Sequence, residues 1–217
     1  MKSLLRSAVL LTVATGLAAC PVQAGAATHQ PAAEGHPYVQ LAHPQPVREA
    51  ARVEAVEFFS YDCVHSQQLE QPLQDWARRH QADVALRRVP AVWPGSPGEQ
   101  GQQGLARLYY ALDGLGEVER LQSAVYRSVR ESREDLRSEE AATAWAVRQG
   151  VDEGAFRSAY RSAGTDRQVS EAAELLRRYE IDELPSVVVQ GRYRTSPTAA
   201  GGVREMPAVL DRLVEQG

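Results

Sequence analysis

The order of hydrophobic and polar positions predicts a mixed α/β chain in which a block of helices separates two groups of strands. The first strand spans Val53 to Phe59, an almost continuous apolar run that indicates burial on both faces. A second strand is predicted over Val84 to Val89. Strand character returns at Ser186 to Val189, and the Gln190-Gly191 pair that follows predicts a tight hairpin.

Helical spacing fills the rest of the pattern. After the first strand, Leu69, Leu73 and Trp76 recur at three- and four-residue intervals. Five further helices are predicted between Gln100 and Tyr179, and a last helix between Met206 and Val214. The caps expected for the third, fourth and fifth helices of the block are Ser138, Asp152 and Asp166. This order fits a small mixed sheet flanked by helices, with a helical domain inserted in its middle connection.

The N-terminus has the pattern of a secretory signal. Lys2 and Arg6 precede the apolar stretch from Ala8 to Ala19, which is too short to span a bilayer. Two alternatives stay open: ordinary cleavage near Ala24, or cleavage before Cys20, which would then carry a lipid anchor. The predicted organisation is a signal (1–24), a flexible leader (25–37), the first part of the core domain (38–98), the inserted helical domain (99–180) and the second part of the core domain (181–217).

Composition restricts the function class. A chain of 217 residues, 43% of them hydrophobic, suffices for one sizeable core. The formal net charge of −4 becomes more negative once Lys2 and Arg6 are removed, so nucleic acid is a poor candidate partner. Because Cys20 is either removed or capped, Cys63 is expected to be the single free thiol of an exported protein, and no internal disulfide is expected.

The main candidate for chemistry is Cys63, which lies between the first strand and the helix that follows it. Unpaired backbone N–H groups and the helix dipole stabilise a thiolate at such a position. His65, if protonated, would add to this effect and Asp62 would oppose it, and the sequence does not rank the two. The alternative is an inert, half-buried thiol.

Three further positions complete the candidate site. Ser66 follows Cys63 by one helical turn and could donate a hydrogen bond to the thiolate, although serine also simply suits a helix N-terminus. Pro185 precedes a strand and is a candidate cis proline. Glu57 is either a buried proton-handling carboxyl that Arg88 could pair with, or an outward-facing strand residue.

Two motifs carry a resemblance to a known family. Phe58-Phe59-Ser60-Tyr61-Asp62-Cys63-Val64-His65-Ser66 resembles the Phe-Phe-Ser-x-x-Cys-Pro-His-Cys motif of the periplasmic DsbA-type thiol:disulfide oxidoreductases. The segment from Leu184 to Tyr193 is similar to that family's Val-Pro-x-x-x-Val-Asn-Gly-Lys-Tyr. The likeness runs from about Pro37 to the C-terminus. It implies a thioredoxin-like fold with an inserted all-α helical domain.

The resemblance also implies roles for individual residues. Cys63 would be the nucleophile, His65 would stabilise its thiolate, and Pro185 would be a cis proline that contacts substrate. Glu57 matches the buried acid beneath the site, and Arg88 falls near a basic residue of the family. The neighbouring positions expected to contact substrate are Val64, Leu184 and Ser186.

Two departures from the family pattern shape the functional hypothesis. Val64 replaces a proline, and Ser66 replaces the resolving cysteine, so the chain cannot store an internal disulfide. We therefore predict a periplasmic single-thiol exchange protein that forms mixed disulfides through Cys63. Its expected partners are exported polypeptides with cysteines or a small thiol such as glutathione, with no cofactor, metal or nucleic acid, and with membrane attachment only through a lipid at Cys20.

Alternatives stay open at this point. The chain could be a non-catalytic, chaperone-like protein that binds polypeptides through the same fold, or a transferase that uses glutathione. A dimer linked through two copies of Cys63 is compatible with the sequence. Ser66 could also be an engineered replacement for cysteine.

Overall fold

The five strands found in the described residues form one mixed sheet in the order β1-β5-β4-β2-β3. The computed structural model describes residues 36–48 and 51–216, so the predicted signal, Cys20 and most of the predicted leader lie outside the described residues. The strands are β1 (Val39–Gln40), β2 (Val53–Phe59), β3 (Val84–Pro90), β4 (Ser186–Val189) and β5 (Tyr193–Thr195).

Strand β2 occupies a central place in this sheet. It pairs in parallel with β3, which sets Glu57 beside Arg88, and antiparallel with β4. Flanked on both sides, β2 is buried along almost its whole length, as its apolar run predicts. Strand β1 is not predicted from the sequence, because two residues are too few to show a period; it pairs with the edge of β5.

The described residues contain eight α-helices. They are α1 (Val64–Arg79), α2 (Glu99–Gly114), α3 (Val118–Tyr126), α4 (Glu139–Arg148), α5 (Glu153–Tyr160), α6 (Ala163–Arg178), α7 (Pro197–Ala200) and α8 (Met206–Glu215). A 3₁₀ turn spans Val203–Glu205. In the described part of the chain, no helix combines the length and the apolar character that crossing a bilayer requires.

Two details of the helical block differ from the sequence prediction. The regular apolar spacing extends the second helix of the block to Val129, but the chain after α3 forms a π-helix at Arg127–Glu131. The predicted opening of the fifth helix at Asp166 is wrong. Helix α6 begins earlier because the Ser162 hydroxyl accepts a hydrogen bond from the Thr165 N–H at 3.0 Å. The predicted caps of α4 and α5, Ser138 and Asp152, are confirmed.

The sheet separates two apolar layers. On one face, Ala55 and Val187 pack with α1 and α8. On the other, Val56 and Phe58 pack with the helices that connect β3 to β4. Because the sheet contributes to both layers, the described residues form one compact unit. The mixed sheet flanked by helices is as the sequence predicts, whereas the exact domain boundaries at residues 99 and 180 stay a prediction.

The β4–β5 hairpin also follows the sequence prediction. Gln190 and Gly191 both have positive φ, and the Arg192 N–H donates to the Val189 carbonyl at 3.0 Å, which closes a two-residue turn. Gly191 is required there, because a Cβ at this position would lie 2.1 Å from the Gln45 carbonyl oxygen. The hairpin thereby fixes β4, which leads back to the loop that faces Cys63.

Candidate active site

Cys63 caps the N-terminus of α1 and is partly exposed. Its backbone is extended (φ −89°, ψ 122°), and its carbonyl accepts the hydrogen bond from the Gln67 N–H that begins the helix. The first turn of α1, which is fully described, contains no acidic residue. The positive end of the helix therefore faces the sulfur without a carboxylate on the same turn.

The loop before β4 faces this sulfur. The Cys63 Sγ lies 3.6 Å from the carbonyl oxygen of Leu184, and the Leu184-Pro185 peptide is cis. The sequence reasoning thus identified the two segments that the fold brings together.

Hydrogen bonds stabilise the proline loop, which is the segment from Glu183 to Ser186. The Ser186 hydroxyl donates to the Glu183 carbonyl at 2.7 Å, and Ser186 is buried, so its side chain serves the loop and is not available to a substrate. One carboxylate oxygen of Glu183 accepts from both the N–H and the hydroxyl of Thr198, at 3.2 and 2.8 Å. Sequence reasoning missed Glu183 and Thr198, since neither belongs to a motif.

Ser66 occupies the place of a second cysteine. It is fully buried, and its Oγ accepts a hydrogen bond from the Ser60 N–H at 3.3 Å. Among the described residues no hydrogen bond joins Ser66 to Cys63. The hydroxyl therefore stabilises the turn that precedes Cys63.

The two residues between Cys63 and Ser66 point outward. Val64 is 41% exposed, and His65 is exposed as well. Within the described part of the chain, His65 forms no hydrogen bond or ion pair. Both side chains are accessible to a molecule that approaches the thiol.

Glu57 is fully buried, so the alternative of an outward-facing strand residue is wrong. The Arg88 Nε donates to one Glu57 oxygen at 3.0 Å, and the Arg88 Nη2 donates to Glu70 of α1 at 3.4 Å. The parallel register that sets Glu57 beside Arg88 produces this pairing. Two carboxyl groups thus share one buried guanidinium between β2, β3 and α1.

Burial sets the protonation of this cluster. It raises the pKa of Glu57 to about 7, although Arg88 acts in the opposite direction and Glu70 adds to the rise. Burial likewise raises the pKa of Glu70 against the lowering effect of Arg88. Burial opposes the charge on Arg88, but Glu70 and Glu57 together raise its pKa, so the arginine stays cationic. The Glu57 carboxyl can therefore hold a proton close to neutral pH.

Polar side chains surround the cluster and leave hydrogen-bonding capacity unused. The Tyr61 hydroxyl donates to the side-chain amide oxygen of Gln122 (Oε1) at 2.5 Å. In and around the cluster, four buried atoms have no partner among the described residues: Glu57 Oε1, Glu70 Oε2, Gln122 Nε2 and Tyr126 Oη. Sequence reasoning missed Glu70, which its spacing from Ser66 and Leu73 on the buried face of α1 would have revealed.

Asp62, whose opposing charge the sequence could not weigh, is paired. Both of its carboxylate oxygens accept hydrogen bonds from Arg137, at 2.9 and 3.0 Å. Its carbonyl accepts from Arg130 at 2.8 Å. Both arginines come from the segment between α3 and α4, and no sequence motif indicates this contact.

Comparisons with known proteins agree with this geometry. A family model described as the DSBA-like thioredoxin domain matches residues 54–214. A thiol:disulfide interchange protein DsbA of Burkholderia cepacia is 34% identical over 217 residues, which cover 100% of this chain and 97% of the relative. Its counterpart of Azotobacter vinelandii is 32% identical over 216 residues, covering 100% and 98%. The crystal structure of Pseudomonas aeruginosa DsbA superimposes with a TM-score of 0.77 at 29% identity, covering 84% of this chain and 92% of that one. The chain therefore belongs to the DsbA-like thioredoxin family and is a DsbA-like thiol:disulfide oxidoreductase.

Proposed function

We propose that this protein works in the periplasm as a single-thiol exchange protein, forming mixed disulfides through Cys63 with exported polypeptides or with a small thiol such as glutathione. One observation carries the proposal: a partly exposed cysteine at a helix N-terminus faces the Leu184-Pro185 loop, while a buried serine stands one turn later. The position of Cys63 at a helix N-terminus supports nucleophilic attack by its thiolate. Because Ser66 has no sulfur, no second thiol of the core domain can attack the mixed disulfide from that position.

The cycle has two exchange steps. In the first, the Cys63 thiolate attacks one sulfur of a substrate disulfide, forms a bond to it and displaces the other sulfur as a thiolate, which takes a proton from water. In the second, an outside thiolate attacks the mixed disulfide and releases Cys63. One disulfide is consumed and one is formed, so the cycle requires no net oxidant.

Glu57 is proposed as the proton-handling group of this cycle. A carboxyl whose pKa lies at about 7 exchanges a proton in the pH range in which thiols ionise. The guanidinium of Arg88 keeps the buried carboxyl in place at 3.0 Å. Among the predicted substrate contacts, the outward position of Val64 and the Leu184 carbonyl beside the sulfur support a role in binding, whereas the buried Ser186 is better suited to holding the loop.

The test is direct formation of the mixed disulfide. Reduced protein is incubated with glutathione disulfide at neutral pH, and intact-mass spectrometry follows the addition of one glutathione. We expect a single adduct that a second thiol removes, no adduct on Cys63→Ala, and an unchanged adduct on Ser66→Ala. An unmodified wild-type protein would rule the proposal out.

A second candidate function is polypeptide binding without turnover. A groove of about 520 Å³ supports it, because Trp93, Pro94, Leu176 and Ile181 give its lining an apolar character that suits extended chains. The Cys63→Ala variant separates the two functions. Full retention of binding to unfolded exported polypeptides, together with an absence of thiol adducts in the wild type, would favour binding over exchange.

A further inference from the structure

Asp62 presents a chemical problem for the nucleophile. It directly precedes Cys63, so the two Cα atoms are about 3.8 Å apart. An uncompensated carboxylate on the adjacent residue would disfavour ionisation of the thiol, because two negative charges would then repel each other. Compensation of the Asp62 charge would therefore favour the thiolate.

Arg137 supplies that compensation. Its Nη2 donates to both carboxylate oxygens of Asp62, at 2.9 and 3.0 Å. Two further contacts from the same segment reinforce this one: Arg130 donates to the Asp62 carbonyl at 2.8 Å, and the side chain of Gln67 donates to Glu131 at 2.9 Å. The nucleophile's loop and the first turn of α1 are thus both held from the segment between α3 and α4.

The backbone of Arg137 is itself fixed by α2. A Cβ at Gly104 would lie 2.0 Å from the Arg137 carbonyl oxygen, so the chain approaches α2 as closely as glycine allows. A Cβ at Gly101 would lie 2.7 Å from the Arg137 Cδ, which shows that the side chain crosses α2 at a second glycine. The adjacent Leu136 is buried in the core. Arg137 is therefore preorganised, unlike an ordinary surface arginine that must lose side-chain freedom to form a pair.

We propose that Arg137 is a positioning residue for thiol exchange, which neutralises Asp62 and so preserves the thiolate of Cys63. The proposal rests on the proposed role of Cys63 as the nucleophile. Arg137 also donates to Asp135 at 3.1 Å, which keeps the guanidinium oriented along its own loop. The charged or titratable groups on the segments around the thiol are Asp62, His65, Arg127, Arg130, Glu131, Arg133, Glu134, Asp135, Arg137, Asp182 and Glu183.

The experiment measures the rate at which iodoacetamide alkylates Cys63 as a function of pH. In Arg137→Ala, Asp62 is left uncompensated, so the midpoint of the profile moves to higher pH. Alkylation below the midpoint slows about two- to five-fold at low ionic strength, as befits a half-exposed pair, and the difference shrinks in about 1 M salt. At high pH, where the thiol is fully ionised, wild type and variant react equally fast.

A double-mutant cycle separates charge compensation from simple support of the loop. Asp62→Asn removes the charge that Arg137 neutralises, so Arg137→Ala in that background is expected to change the rate far less than in the wild type. Asp62→Asn alone removes one negative charge from the residue next to Cys63, while Arg137 keeps its ion pair with Asp135, and is expected to speed alkylation at low pH. The matched control is Arg127→Ala, because Arg127 is exposed and forms no ion pair among the described residues.

Two results would overturn the proposal. One is an equal, salt-independent slowing by Arg137→Ala in the presence and absence of Asp62, which is the signature of a purely structural contact. The other is an Asp62→Asn variant that reacts no faster than wild type, and this outcome is decisive even if Arg137→Ala fails to fold. Failure of the proposed function gives a different result, since wild-type Cys63 would then form no mixed disulfide at all.

Discussion

Cys63 and Glu57 lie on the same β2–α1 unit, but in opposite environments. The thiol is partly exposed, between the N-terminus of α1 and the carbonyl of Leu184. The carboxyl is fully buried and pairs with a buried guanidinium. Around the thiol, access and orientation decide reactivity. Around the carboxyl, removal from water decides protonation. The unit therefore places an accessible thiol at the surface and a protonatable carboxyl in the interior.

The largest change we expect is at the surface end of this unit, meaning Cys63, Ser66 and the Leu184-Pro185 loop. There, replacing the oxygen of Ser66 by sulfur would turn a single-thiol protein into a two-cysteine one. Ser66→Cys places a thiol one helical turn after Cys63, within reach of a disulfide. We expect oxidised Ser66→Cys to form an internal disulfide and to transfer it to a reduced peptide, which the wild type cannot do. Free-thiol titration after oxidation measures the first effect, and peptide oxidation measures the second.

Ser66→Ala is the control for that gain, because it removes the hydroxyl without adding a sulfur. Two thiols that remain titratable in oxidised Ser66→Cys would show that burial at this position prevents closure. Ser66→Cys also removes the hydroxyl that accepts from the Ser60 N–H, so we expect a small loss of stability together with the gained peptide oxidation.

The buried centre is expected to dominate stability. Arg88→Met leaves Glu57 and Glu70 without their shared cation, and breaking a buried pair in this way costs about 3–5 kcal/mol. Urea unfolding at neutral pH measures the loss. We expect it to be smaller at about pH 5, where the Glu57 carboxyl is protonated and needs no partner.

The neighbouring arginine provides a matched control. Arg87 lies on the same strand and pairs with Glu54, but it is more exposed than Arg88. Arg87→Met should therefore cost less than Arg88→Met. Equal losses would mean that the buried cluster has no special electrostatic role.

A third prediction isolates the proton held by Glu57. Burial raises the pKa of Glu57 from 4.5 to about 7, so the folded protein binds a proton that the unfolded chain releases. The contribution to stability is full below pH 4.5 and is lost as the pH rises to about 7. The loss is on the order of 2–3 kcal/mol at about 1.36 kcal/mol per pKa unit.

Glu57→Gln is the variant that tests this pH dependence. An amide cannot titrate, so the fall in the free energy of unfolding between pH 4.5 and 7 should be flatter in the variant than in the wild type. Denaturant unfolding at a series of pH values measures both slopes. Parallel slopes would assign the pH dependence to other groups, with Glu70 as the next to examine.

The sequence identified the residues of the surface end more completely than those of the buried centre, which consists of Glu57, Glu70 and Arg88. The reason is physical. Cys63 and Pro185 lie in short contiguous motifs whose local geometry is set by a helix N-terminus and an X-Pro bond. The partners of Glu57 depend on register and on packing between separate elements. Arg88 was found because it lies on the adjacent strand, whereas Glu70 was not.

The contacts that the helical block makes with Asp62 could not be predicted from the sequence, for a related reason. Arg137 reaches Asp62 only because α2 carries glycines where the Arg137 backbone passes. The π-helix at Arg127–Glu131 precedes Arg137. Over only five residues its apolar spacing is the same as that of an α-helix, so the sequence predicted a regular helix there. The start of α6 shows how far N-caps can be predicted from sequence. Ser162 and Asp166 are both suitable N-cap residues, and only the backbone conformation decides between them.

The smallest effect we expect concerns the support behind the proline loop, which belongs to the surface end. Glu183→Ala removes the oxygen that accepts from the N–H and hydroxyl of Thr198, an effect of about 1 kcal/mol for a partly exposed contact. Because the contact ties α7 to the loop that faces Cys63, we expect faster amide hydrogen exchange in α7 and slower formation of the glutathione adduct, with the buried cluster unchanged. Thr198→Val in the Glu183→Ala background should add little, since both variants remove the same hydroxyl contact. Additive losses would show that the two residues act separately, and the loop's orientation would then depend on Ser186 and its bond to the Glu183 carbonyl.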